Sequence, residues 1–220
     1  MTETIEAAAP QRAGEVPPAT RVALVELSGG VPLGVIGFGF CILMFGVLNT
    51  GAVNGAALGW FTYVAIYTGA LLMGFGGIWE AHSSNVFGAT FSMAYAGFLL
   101  TTGVIVQFAQ PHIVASAGQD AFNHGFAAWL FLWTVLTLLL FIGSLYVNVP
   151  AMFAFGLLAV VYFAAGIANV TSGDVSLAFT RIAGWFALAD GIAAWYLAVG
   201  ILLNGMSHKN MFPMGPHLGS

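Results

Sequence analysis

The chain has 220 residues, of which 60% are hydrophobic and only 5% charged, with 29 glycines and a formal net charge of −4. No soluble domain of this size has the polar surface to cover so much apolar side chain, so the composition points to an integral membrane protein in contact with the lipid bilayer. The four Lys and Arg side chains form no basic patch, which excludes nucleic acid as a partner, and the single cysteine, Cys41, excludes a disulfide framework.

Residues 1–27 are polar, rich in Ala, Pro and Glu, and carry Arg12 and Arg21. They read as a disordered cytoplasmic tail and not as a secretory signal, because no charged start, apolar middle and cleavage site follow one another. A six-helix transmembrane unit is expected over 28–205, with a cytoplasmic C-terminal tail over 206–220. The first apolar run, Pro32 to Leu48, is close to the short limit of about 17 residues for crossing hydrocarbon. Pro32 suits a helix start, where its missing N–H has no partner to lose and the next amides can face an anion. A plain helix cap explains it equally.

The second span is expected from Leu58 to Ile78 and the third from Val86 to Phe108. Gln110 to Asn123, with Pro111, His112, Gly118 and Asp120, reads as a polar loop, and a fourth span follows from Phe126 to Tyr146. Val147 to Pro150 is so short that spans four and five must form an antiparallel hairpin. The fifth span ends at Ala168, and the sixth runs from Leu177 to Leu203. The fold class is thus all-α, a six-transmembrane-helix bundle. Arg12, Arg21 and Lys209 on one side against Arg181 on the other place both termini in the cytoplasm.

Few polar groups can carry chemistry. Glu80, His82, Ser83, Ser84 and Asn85 form a polar joint between spans two and three, either as helix caps at a membrane surface or as the mouth of a route through it. Ala183, Ala187, Asp190 and Ala194 fall on one helix face, so Asp190 lies among small residues in mid-span. An intramembrane carboxyl there is protonated, wetted or bonded to a neighbouring helix, and is a functional candidate by default. Glu80 is expected nearer an interface, where solvation is easy. The only lysine, Lys209, is in the tail, which excludes a retinal Schiff base; His82, His112, His124, His208 and His217 lie at helix edges, in loops or in the tail, without metal-site spacing. Cys41 has no neighbouring base and is not a nucleophile. No enzyme activity and no cofactor are expected. A channel or transporter remains, with a purely structural membrane protein as its rival.

The residues resemble the acetate uptake transporter family, the succinate–acetate permeases. The likeness is carried by Pro32-Leu33-Gly34, Gly37-Phe38-Gly39, Glu80 with Asn85-Val-Phe-Gly88 and Thr90, then Tyr95 and Phe98. It continues through Trp133, Thr137, Gly166, Asn169, Ala183-Gly-Trp185 and Ala194-Trp-Tyr196, to Phe212-Pro-Met-Gly215. The resemblance implies a homo-hexamer in the plasma membrane with a pore in each protomer, passing acetate and similar small monocarboxylates, succinate among the candidates. Phe38, Tyr95 and Leu158 fall at the family's aromatic and aliphatic constriction; taken alone they look like packing residues. Pro32, Leu33, Gly34, Asn49, Asn85, Thr90 and Asn169 are the candidate polar and substrate-binding positions. Glu80 and Asp190 are the candidate proton-relay carboxyls for symport. The chain departs from the family in its opening Gly29-Gly30-Val31, at Met73 where a Gln is common, and at Asp190 where a neutral residue is usual.

Such a solute suits such a pore. A free carboxylic acid, with a pKa of about 4 to 5, is ionised at neutral pH. Stripping water from the anion costs several kcal/mol or more, so a narrow apolar ring needs hydrogen-bond donors beside it or a proton delivered with the anion. Channel-like permeation and proton-coupled symport are both open, as is a pore for small neutral solutes such as urea, ammonia or protonated acids.

Overall fold

The computed structural model describes residues 29–54 and 59–216. The expected N-terminal tail, with Arg12 and Arg21, lies outside the described residues, as do residues 217–220. Six helices are long and apolar enough to cross a membrane: α1 (Gly30–Asn49), α2 (Gly59–His82), α3 (Val86–Ala117), α4 (Gln119–Ser144), α5 (Val149–Val170) and α6 (Gly173–Ser207). Hydrocarbon offers a backbone no hydrogen-bonding partner, so each span satisfies its own amides as a helix. Large apolar side chains such as Tyr67, Phe75, Leu132, Trp185 and Ile192 are exposed on the outside, as a lipid-facing surface requires.

α6 packs against α1 and α5, α4 against α5, and α2 against α1 and α3. Glycine sets the closest of these approaches. At the crossing of α1 and α2, a side chain on Gly76 would strike the Gly30 carbonyl and the Gly34 amide, so the two backbones touch directly. Trp195 of α6 donates its ring N–H to the Ile36 carbonyl of α1 at 3.2 Å.

Two expectations need correction. The stretch from Gln110 to Asn123 is not a loop: α3 continues to Ala117, Gly118 turns the chain with φ of 88°, and α4 starts at Gln119. A π-helical turn over Ile105–Ala109 comes just before Pro111, with the Gln110 N–H bonded to the Ile105 carbonyl five residues back. That wider turn makes room for the proline ring without ending the helix. The polarity marks where the helices leave the apolar layer.

The C-terminal stretch is likewise no free tail from residue 206. Met206 and Ser207 complete α6, and the chain then folds back. Asn204 donates to the Phe212 carbonyl at 2.8 Å and accepts the Phe212 N–H at 2.9 Å. Tyr196 donates to the Pro213 carbonyl at 2.9 Å, and the first amide of α5, at Val149, donates to Met214 at 3.1 Å. The Asn148 side chain completes that cap by accepting the Ala151 N–H at 2.9 Å. Spans four and five form the expected hairpin across Leu145–Asn148.

Candidate functional site

Phe38 of α1, Tyr95 of α3 and Leu158 of α5 are buried side by side in the middle of the bundle. The Phe38 and Tyr95 rings are 5.9 Å apart, and Tyr95 also meets Trp133 at 5.5 Å and Phe155 at 6.1 Å. The Tyr95 hydroxyl shares a 2.8 Å hydrogen bond with that of Thr137, in which either can donate. That bond fixes the ring, because a buried phenol needs a partner.

Two cavities share Phe38 as a wall. The wider, about 340 Å³, is lined by Phe38, Phe98, Val161 and Tyr162 at its inner end. The narrower, about 50 Å³, is lined by Phe38, Tyr95 and Leu158 together with Met73, Phe155 and Ala194. Phe38 belongs to both; Phe98 lies about one turn from Tyr95, and Tyr162 about one turn from Leu158. Of the three residues expected at a constriction, Phe38 lines both cavities, and Tyr95 and Leu158 line the narrow one. The wide cavity is large enough for a small solute with some of its water, and the narrow one for only a few waters.

The two cavities differ in chemistry. The wide one opens toward the ends of the helices opposite Gly29 and Pro216 and carries the carboxamides of Asn49, Asn123, Gln110 and Asn169. Asn49 donates one N–H to the Phe45 carbonyl and Asn169 one to the Ala165 carbonyl, each at 2.8 Å. Each head is thus held by its own helix, leaving a second N–H and the amide oxygen for a solute. The narrow cavity is apolar except for Tyr95, and Met73 contributes to it.

The remaining sequence-predicted residues divide. Pro32 and Gly34 are buried in α1, Gly34 against Met73 and Ser92. Leu33 and Thr90 are exposed and line neither cavity. Asn85 caps α3, its side-chain oxygen accepting the Gly88 N–H at 3.0 Å, and its amide donates to Glu80.

Glu80 differs most from expectation. It is only 2% exposed, and its carboxylate accepts the Val31 N–H at 2.9 Å as well as the Asn85 amide. The side-chain-free crossing of Gly30 and Gly76 brings the start of α1 onto the last turns of α2, so the positive end of the α1 dipole falls on Glu80. The helix begins at Gly30, before Pro32, and the acceptor at its N-terminus is the protein's own Glu80 side chain. Glu80 is therefore not the easily solvated boundary group expected, and it is already engaged on both oxygens.

Asp190 is wholly buried, as the small-residue face of α6 predicts, and neither carboxyl oxygen has a hydrogen-bond partner. Sequence reasoning gave no role to Tyr162, whose buried hydroxyl is also unpartnered, and met Thr137 only through the resemblance. The signal for Thr137 was present: Thr134 and Thr137 stand one turn apart in an otherwise leucine-rich span. Among the described residues no cluster of His, Cys, Asp and Glu could hold a metal ion.

The profile of the GPR1/FUN34/yaaH family matches residues 13–216 of this chain. The chain is 31% identical, over 193 residues, to the succinate-acetate/proton symporter SatP of Escherichia coli K12, covering 86% of this chain and 96% of the relative. It is 25% identical over 221 residues to acetate permease A of Emericella nidulans, covering 96% of this chain and 74% of that one. The solved structure of the bacterial acetate channel SatP aligns with a TM-score of 0.73 at 30% identity, over 85% of this chain and 98% of the other.

Proposed function

The chain belongs to the GPR1/FUN34/YaaH family, and from that premise we propose that this multi-pass membrane protein carries acetate and similar small monocarboxylates across the bilayer, through a pathway inside each protomer. The observation that carries the reading is a wide, carboxamide-bearing cavity and a narrow apolar one that share Phe38 as a wall, with Tyr95 and Leu158 lining the narrow one. Asn49 and Asn169 replace part of the hydration shell of an arriving carboxylate. The ring of Phe, Tyr and Leu then admits a body small enough, and apolar enough, to fit past it. Transport in place of catalysis agrees with relatives named as a symporter, a permease and a channel. The protein is read as a homo-hexamer in the plasma membrane with both termini in the cytoplasm, so that the wide cavity faces outward.

Labelled acetate entry into proteoliposomes, with empty liposomes subtracting diffusion of the free acid, tests this. The expected result is protein-dependent, saturable entry, inhibited by competing short carboxylates, with Tyr95→Ala admitting bulkier ones. Entry no faster than in empty vesicles, with urea or ammonia entering faster, selects the neutral-solute pore instead; the carboxamides of the wide cavity favour the carboxylate.

A further inference from the structure

Asp190 is the one described carboxyl group buried in mid-bundle without a partner for either oxygen. A carboxyl in apolar surroundings is tolerated only with a partner, a water or a proton. Its place along the pathway is specific. On the same face of α6, Ala183 lines the wide cavity and Ala194 the narrow one. Helical rise sets Asp190 about 10 Å from the first and about 6 Å from the second, between the two. It lines neither cavity itself.

The titratable groups facing it are few. Tyr162 of α5 and Tyr95 of α3 lie within electrostatic reach, and Cys41 of α1 borders the group by way of Tyr162. The Tyr162 hydroxyl is also unpartnered. No charged side chain among the described residues acts on Asp190. Glu80, the other buried carboxylate, is held by the Val31 N–H and the Asn85 amide, and releasing it would uncap α1.

We propose that Asp190 is the proton-carrying and selecting group of the pathway: a monocarboxylate passes Phe38, Tyr95 and Leu158 with Asp190 in its acid form, one proton being shared between the two carboxyl groups. The proposal rests on the carboxylate reading above. Two carboxylates side by side cannot both stay ionised, so an ionised Asp190 repels the arriving anion, and its acid form donates to it. The permeant leaves with the proton as the free acid, and the Asp190 carboxylate takes a new proton from the wide cavity. One proton crosses with one solute, and no other group changes charge.

Wild type, Asp190→Asn and Asp190→Ala are compared in proteoliposomes, following labelled acetate and internal pH together. For the wild type, the protein-dependent rate should fall by up to about tenfold per pH unit over the titrating range, as a single required proton dictates. Both variants should pass acetate downhill more slowly than the wild type, Asp190→Ala the more so because it keeps no donor, while that pH dependence flattens and accumulation driven by a proton gradient falls to the empty-vesicle level. Wild-type pH dependence retained in both variants overturns the proposal and leaves the carboxylate reading standing. If neither variant elutes from gel filtration as the wild type does, Asp190 is a packing group and the proposal also fails. If the wild type itself passes no acetate, the carboxylate reading fails and this proposal with it.

Discussion

Glu80 and Asp190 are both carboxyl groups closed off from solvent inside the same helical bundle, and the structure treats them in opposite ways. Glu80 lies at the end of α2, where one oxygen accepts an amide from the first turn of α1 and the other a carboxamide from the cap of α3. Asp190 lies in the middle of α6 with no partner at all. The first joins three helices through hydrogen bonds to both of its oxygens. The second contributes no hydrogen bond to the fold, and the proposal above gives it a role in what passes. Burial alone does not distinguish a structural carboxylate from a working one; the count of satisfied oxygens does.

The sharpest way to break the comparison is Glu80→Ala. It leaves the half-buried Val31 amide without its acceptor, at about 1 to 3 kcal/mol, and frees the exposed Asn85 carboxamide to bond water, at about 0.5 to 1.5 kcal/mol. The expected loss of stability is therefore about 1.5 to 4.5 kcal/mol, read as a large fall in apparent melting temperature in detergent and in monodisperse yield. Melting at the wild-type temperature would show that the joint does not hold α1.

A second variant tests the crossing that creates the joint. Gly76→Ala places a methyl against the Gly30 carbonyl and the Gly34 amide, where only backbone could give way. Overpacking of this kind costs about 1 to 3 kcal/mol. Gly97→Ala, with nothing within 4 Å of the added methyl, is the matched control and should not lower the melting temperature. Equal effects of the two would remove the close crossing as the reason Glu80 is buried.

Asn85→Ala should act in the same direction more weakly. It removes the N-cap of α3 and one of the two Glu80 bonds, for a loss of about 1 to 2 kcal/mol. The Val31 bond remains, so the fall in melting temperature should be smaller than for Glu80→Ala. A larger fall would make Asn85 the principal anchor.

How much of this contrast was legible in the sequence follows from which contacts are local. The Asp190 face was readable because Ala183, Ala187, Asp190 and Ala194 recur at the period of one helix, and all four are buried. The bounds of α1 and α5 came within about two residues for the same reason. Glu80 was misread because its partner Val31 is 49 positions away and arrives only through a helix crossing that no local pattern reports. The 211–216 segment looked like a tail because its anchor at Val149 belongs to another helix. Gln110 to Asn123 looked like a loop because polarity, Pro111 and Gly118 give the same signal whether a helix stops or runs on into water. Phe38, Tyr95 and Leu158 gave no signal of their own; the resemblance supplied them, and all three line the narrow cavity.

The smallest expected effect is also the one that decides the comparison. If Asp190 makes no bond, Asp190→Ala removes a buried unsatisfied group and extends a face already built of Ala183, Ala187 and Ala194. An unpartnered buried polar group carries a penalty of about 1 to 3 kcal/mol, against which the variant forfeits the contacts of one short side chain. The net change in stability should therefore lie within about 1 kcal/mol of zero or favour the variant, with the melting temperature level or raised. A fall comparable to that of Glu80→Ala would mean that Asp190 is held by partners after all, and the two carboxyls would then be two versions of the same structural device. A level melting temperature together with lost pH dependence of acetate entry would separate them, with Glu80 serving the fold and Asp190 the solute.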